Sequence, residues 1–198
     1  MGYTPEDAER EAGEDRMIAQ VLEDHRDVIV AEFIEERLAS YFEAHPDLSR
    51  TATNALDEAR RLFVLSSAAA LVFALSAVEI VIQDVLLKPV VVGLTHYPEL
   101  GDLLAALVDI RNKQTENMLF GILDATGMPS LRKQTLPGGK IVWDEKIELQ
   151  KLRNRVIHHG DSVSKEHAAR ALELADYFLN TIFPEMREHF TQRTTGWV

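Results

Sequence analysis

Apolar side chains recur every three to four residues along most of the 198-residue chain. This spacing predicts amphipathic α-helices, because residues three or four apart lie on one face of a helix. No stretch alternates as a strand would, and no segment repeats at a fixed period. The sequence therefore predicts an all-α fold, a bundle of about five helices. The predicted helices cover residues 15–44, 50–87, 99–126, 144–159 and 165–183.

Proline, glycine and serine mark the expected ends of these helices. The residue before a proline is disfavoured in the helical conformation, so Pro46, Pro89 and Pro184 are expected to end three of them. Gly160 is expected to end the fourth helix in the left-handed conformation that glycine tolerates. Ser164 is expected to cap the fifth.

Two segments fall outside the helical pattern. Residues 1–14 are acidic and poor in apolar side chains, which predicts a flexible tail ahead of a single helical domain over residues 15–198. Residues 127–142 contain five prolines and glycines, which predicts a loop with a short hairpin near Pro137.

One stretch requires a membrane test, because residues 62–78 contain no charge. A spanning helix needs about 20 apolar residues, and this run is shorter and includes serines. It therefore predicts a core helix of a soluble protein. The first residues have neither a basic nor an apolar region, so no secretory signal is expected and the predicted location is the cytoplasm. With no cysteine, disulfides and Cys-ligated metal sites are excluded.

Charge is distributed unevenly along the chain. The net charge is −11, and residues 1–47 contribute −10 of it, from 14 acids and 4 bases. Residues 132–155 carry seven bases against three acids, a net +4. A protein that binds nucleic acid through its overall charge would be basic. Any polyanion is therefore expected to bind locally, near residues 132–155.

Three polar side chains share one face of the fourth predicted helix. At about 100° per residue, Arg153, Asn154 and His158 fall on an arc opposite the apolar stripe that contains Leu149 and Leu152. Arginine offers a planar, charged fork for phosphate, and histidine transfers protons near neutral pH. The amide can orient the imidazole or donate to a phosphoryl oxygen. Together they suit cleavage of RNA by its own 2′-hydroxyl, which requires no metal.

The pattern Arg153-Asn154-x-x-x-His158 resembles the Arg-x4–6-His motif of HEPN ribonucleases. The resemblance covers about residues 50–183 and implies a helical bundle that acts as a homodimer, with the motif helices of two copies meeting at one cleft. It further implies metal-independent RNA cleavage to a 2′,3′-cyclic phosphate without a cofactor, with Arg153 and His158 as catalytic residues and Asn154 supporting them. Many such proteins are toxins or defence effectors, some with an antitoxin partner.

Four further residues are candidates near this motif. Lys151, Arg155 and His159 are expected to contact substrate, although Arg155 also fits a solvated charge and His159 a packing or capping residue. Glu79, expected to be buried at the end of the long apolar run, either makes a structural hydrogen bond or contacts Arg153. The remaining histidines show no paired spacing for metal ligation, so no metal site is expected.

Two other functions remain open. A HEPN-like domain without catalysis, used for dimerisation or for binding a nucleotide or RNA, is supported by the acidic N-terminal region, which would repel RNA and attract a basic partner. A small membrane-associated bundle rests only on residues 62–78.

Overall fold

The computed structural model describes Met17, residues 36–94, five residues between 116 and 124, and residues 130–193. Within these residues the fold is all-α, as predicted, and its only strand-like feature is an isolated bridge between Thr135 and Ile141. Most of the predicted first and third helices, and the predicted tail, lie outside the described residues. Three helices are regular: α1 (36–44), α2 (Arg50–Leu62) and α4 (Val142–His159). Two longer helices each consist of three consecutive segments, which are Ser67–Ile80, Val81–Leu87 and Lys88–Leu94 in α3, and Lys165–Tyr177, Phe178–Ile182 and Phe183–Arg193 in α5.

The predicted second helix is in fact two helices, α2 and α3. A turn separates them, and its residues Val64 and Leu65 are exposed. Ser66 then caps α3, because its Oγ accepts a hydrogen bond from the backbone N–H of Ala69 at 3.3 Å. The prediction of a single helix was wrong because the apolar run continues through the turn and conceals the break.

The prediction that Pro89 and Pro184 end helices was also wrong. Each proline lies just after a π-helical segment, Val81–Leu87 in α3 and Phe178–Ile182 in α5. The residue before each proline donates its backbone N–H to the carbonyl five residues earlier. The wider π turn makes room for the proline ring, which clashes with the preceding turn of an α-helix. Both helices therefore continue past their prolines.

Other predicted boundaries are confirmed. The helix α1 ends at residue 44, directly before His45-Pro46. Gly160 ends α4 with φ of 72° and donates its N–H to the Val156 carbonyl at 3.1 Å. Ser164 caps α5 through its side chain. Around Pro137 the chain makes the expected short hairpin, in which the Leu136 N–H donates to the carbonyl of Lys140 at 2.8 Å.

The helix α3 lies at the centre of the bundle and packs against α2, α4 and α5. Its segment Ser67–Leu87 is long and apolar enough to cross a membrane, but 61% of that apolar window is buried inside the protein. Such burial is typical of a core helix. Each fully buried Leu or Phe contributes about 1.5–3 kcal/mol. The largest fully buried side chains include Phe42, Leu56, Leu71, Ile82, Leu86, Leu149, Phe178 and Phe190.

Candidate functional site

A cleft of about 580 Å³ lies between α3 and α4. Both walls consist of residues spaced three or four apart, which places each set on one helical face. The α3 wall consists of Ser76, Glu79, Ile80, Gln83 and Asp84. The α4 wall consists of Lys146, Gln150, Arg153, Asn154, Ile157 and His158. The cleft thus contains all three predicted catalytic residues and Glu79.

Glu79 and Asp84 both line the α3 wall although they are five residues apart. Residues five apart point about 140° away from each other in an α-helix, and Arg153 and His158 have the same spacing on the α4 wall. Each wall therefore covers a wide arc of its helix, and the α3 wall contains two carboxylates.

Arg153 and Glu79 form an ion pair across the cleft, with Nη1 of Arg153 donating to Oε1 of Glu79. Gln150 Nε2 donates to the same carboxylate oxygen at 3.2 Å. The Arg153 side chain is 19% exposed and that of Glu79 36%, so the prediction that Glu79 is buried was wrong. Its predicted contact with Arg153 is present. Nε of Arg153 is buried and has no hydrogen-bond partner in the described part of the chain.

Asn154 and His158 lie at the open side of the cleft. Both side chains are exposed and belong to the last two turns of α4. Gly160 ends the helix directly afterwards. Arg153 therefore lies deeper in the cleft, paired with an acid, while the imidazole and the amide remain accessible to a ligand from solvent.

Lys151, Arg155 and His159, predicted to bind substrate, do not line this cleft. All three are exposed, which excludes packing against the core for His159. Nε of Arg155 donates to Oδ2 of Asp161 at 3.1 Å. The three residues lie on an exposed face of α4 beside the cleft.

Lys146 lies at the inner end of the cleft and was not singled out from the sequence as a site residue. It is only 5% exposed, and its ammonium group lies 4.8 Å from the centre of the Trp143 ring. Burial lowers the pKa of Lys146, although the negative charges of Glu116 and Glu79 act to raise it. Its position seven residues before Arg153, two helical turns away on the same face, is the sequence signal that would have identified it.

A second buried charge fixes the position of α4. Glu145 is 2% exposed and accepts from Nε of Arg170 on α5 at 2.6 Å and from Nζ of Lys140 in the hairpin at 3.0 Å. Burial acts to raise the pKa of Glu145, but these hydrogen bonds outweigh it and hold the pKa below its ordinary value. The network ties α4 to α5 and to the hairpin, and so positions one wall of the cleft.

Among the described residues, no group of three or more His, Asp or Glu side chains is arranged to hold a metal ion. Comparison of the chain with family models, with curated proteins and with solved structures finds no significant match.

Proposed function

We propose that the protein is an endoribonuclease of the HEPN type that cuts RNA without a metal. The observation that carries this proposal is the position of Arg153, Asn154 and His158 on one wall of a single cleft. The spacing of the Arg and the His matches the family motif. The all-α fold is also the one that this resemblance implies.

In the proposed reaction the scissile phosphate binds at Arg153. The imidazole of His158 removes the proton of the adjacent ribose 2′-hydroxyl, whose oxygen attacks phosphorus. The bond from phosphorus to the 5′-oxygen of the next nucleotide breaks, that oxygen takes up a proton from water, and the protonated His158 releases its proton to solvent. The products are a 2′,3′-cyclic phosphate and a 5′-hydroxyl. Arg153 stabilises the charge that develops on the phosphoryl oxygens, and Asn154 orients the imidazole or the phosphate.

The proposed active form is a homodimer, since the chain contains one such Arg/His set. Two apolar side chains support an interface at this position. Ile157, in the cleft wall, is 51% exposed, and Phe73, one turn before Ser76 on α3, is 40% exposed. The proposed setting is the cytoplasm, with RNA as the substrate and an antitoxin as a regulatory partner.

The experiment is RNA cleavage by the purified chain in the presence of EDTA. We expect cleavage to persist under chelation, to leave cyclic phosphate ends, and to fall at least about a hundredfold in His158→Ala, the scale of general acid–base catalysis. His45→Ala, an exposed histidine beyond α1, is the matched control. Absence of cleavage by the wild-type protein contradicts the proposal, as does full activity in His158→Ala. A chain that is monomeric at micromolar concentration contradicts the shared cleft.

A non-catalytic RNA- or nucleotide-binding module is the second candidate. It is favoured by the engagement of Arg153 with Glu79, since a carboxylate already occupies part of the guanidinium fork. This candidate predicts that the protein binds a short RNA but leaves it intact. It also predicts that Arg153→Ala weakens that binding while the helical content is unchanged.

A further inference from the structure

Lys146, at the inner end of the cleft, is a buried cation without a polar partner. The residue is 5% exposed, and its ammonium group makes no hydrogen bond or ion pair with any other described residue. Among the described side chains, the polar atoms that are sealed from solvent and lack a hydrogen bond are Oε1 of Gln134 and Nε of Arg153. The Lys146 nitrogen is not one of them, so it retains contact with the cleft that this residue lines.

The acids whose charges act on Lys146 are engaged by other residues. These acids are Glu116 and Glu79. Oε1 of Glu116 accepts a hydrogen bond from Nε1 of Trp143 at 3.0 Å and one from Nη2 of Arg132 at 3.5 Å. Glu79 accepts from two side chains of α4, as described above. The three N–H groups of the Lys146 ammonium are therefore left for a ligand.

We propose that Lys146 binds a second phosphate of the RNA strand, one or two nucleotides away from the scissile phosphate. The position of the scissile phosphate at Arg153 rests on the proposed function. Lys146 lies seven residues before Arg153, which is two helical turns, or about 10 Å, along the same face of α4. An RNA strand carries one negative charge per nucleotide, so a strand held at Arg153 brings further phosphates towards the inner end of the cleft.

The chemistry of the side chain favours a phosphate over a base. A lysine ammonium binds phosphate as a compact point charge, and contacts to the phosphate backbone carry no sequence information. The spacing of the two cations is set before RNA binds, because both lie on the regular helix α4. Glu145, next to Lys146, ties that helix to α5 and to the hairpin. Such preorganisation reduces the cost of ordering the site around a ligand.

The first test is equilibrium binding of 2′-O-methyl oligonucleotides, which cannot be cleaved, with one, two or three phosphates. We expect the affinity of the wild-type chain to rise at least about tenfold once the strand includes the phosphate that reaches Lys146, the scale of a hydrogen bond to a charged group. The gain should be the same for adenine and uracil oligonucleotides. Affinity that does not rise beyond the first phosphate overturns the inference, as does a gain confined to one base.

The second test is the salt dependence of binding in Lys146→Met. Each phosphate contact to a single strand contributes about 0.7 to the slope of log affinity against log salt concentration. Lys146→Met should therefore lose about 0.7 of this slope, together with the gain from the added phosphates. It should retain wild-type affinity for the one-phosphate compound, which Arg153 still binds. Weaker binding of that compound would indicate displacement of α4 and contradict the assignment.

Lys165→Met is the matched control, because this lysine is exposed and lies outside the cleft. It should keep the slope of the wild type. If Lys146→Met does not fold, Lys146→Gln gives the same comparison with a polar side chain. An unchanged slope in either folded variant overturns the inference, and the measurements on the wild-type chain decide it without any variant.

Failure of this inference is distinguishable from failure of the nuclease proposal. A reduced slope in Lys146→Met without RNA cleavage by the wild type supports the second phosphate site and contradicts the nuclease. Cleavage under EDTA with an unchanged slope supports the nuclease and contradicts the site.

A nucleoside 3′,5′-bisphosphate separates RNA from a free nucleotide as the source of the second phosphate, because it carries two phosphates on one ribose. Tighter binding of the two-phosphate oligonucleotide supports RNA as the ligand. Tighter binding of the bisphosphate indicates a free nucleotide and overturns the assignment to RNA.

Discussion

Arg153 of α4 donates a hydrogen bond to the carboxylate of Glu79 on α3 across the cleft. The contact joins the two walls and fixes the guanidinium before any ligand binds, while Gln150 holds the same carboxylate. An incoming phosphate must share Arg153 with Glu79 or displace it. Glu79 therefore both positions the arginine and competes with an anion for it.

Replacement of Glu79 by Gln tests this competition. Glu79→Gln keeps the shape of the side chain but removes its charge, so we expect non-cleavable RNA to bind about threefold to tenfold more tightly. Because the pair is partly exposed, its loss should lower the free energy of unfolding by only about 1 kcal/mol. Binding assays and chemical denaturation measure the two effects. Glu173→Gln, an exposed acid outside the cleft, is the control, and weaker RNA binding in Glu79→Gln would contradict this role.

The buried carboxylate of Glu145 should make stability depend on acid. Its pKa in the folded chain lies below the ordinary value of 4.5, so the stabilisation is complete above about pH 4.5 and is lost as the pH falls through the folded-state pKa. At neutral pH, Glu145→Gln should lower the free energy of unfolding by about 3 kcal/mol, because Arg170 loses its buried partner. Denaturation from pH 3 to pH 7 measures both effects.

The neighbouring acid Glu148 provides a matched control. It contacts the same Arg170 at 2.6 Å, but its side chain is 60% exposed. Glu148→Gln should therefore cost less than about 1 kcal/mol. Equal costs for the two substitutions would show that burial does not determine the strength of this network.

The buried Lys146 should make stability depend on pH in the alkaline range. Burial lowers its pKa in the folded chain below 10.5, so the unfolded chain binds more protons between the folded-state pKa and about pH 10.5. The free energy of unfolding of the wild type, relative to Lys146→Met, should therefore rise with pH across that window. Denaturation from pH 7 to pH 10.5 measures it. Lys165→Met, an exposed lysine, should show no such trend relative to wild type, and a flat difference for Lys146→Met would contradict the lowered pKa.

Gly160 ends α4 two residues after His158. Its φ is 72°, and a Cβ added there would have no atom within 4 Å, so replacement by Ala incurs a backbone cost without a clash. We expect Gly160→Ala to lower the free energy of unfolding by about 1 kcal/mol, and Gly160→Asn to lower it less, because Asn tolerates this conformation better. Thermal unfolding measures both variants, and an unchanged stability in Gly160→Ala would contradict the left-handed cap.

The sequence predicted the fold class and α4 because the signals there are local. Helical spacing, the glycine end and the serine cap each depend on a few neighbouring residues. The same reasoning failed at Pro89 and Pro184, where a π turn that no local pattern marks accommodates the ring. It also missed Lys146 as a site residue, because burial depends on which helix lies opposite. The motif residues could be placed on one face, but the pairing of Arg153 with Glu79 required the packing of α3 against α4.

The π segment Val81–Leu87 makes α3 tolerant of a change in length. A single-codon deletion among residues 81–83 would remove an extra residue of the wide turn and allow it to tighten into regular α-helix, without rotating the helix on either side. Glu79 and Asp84 would then lie four residues apart, about 40° around the helix, and would still share a wall. The same deletion in α4, between Lys146 and Arg153, has no wide turn to absorb it and would rotate one of these residues away from the other by about 100°.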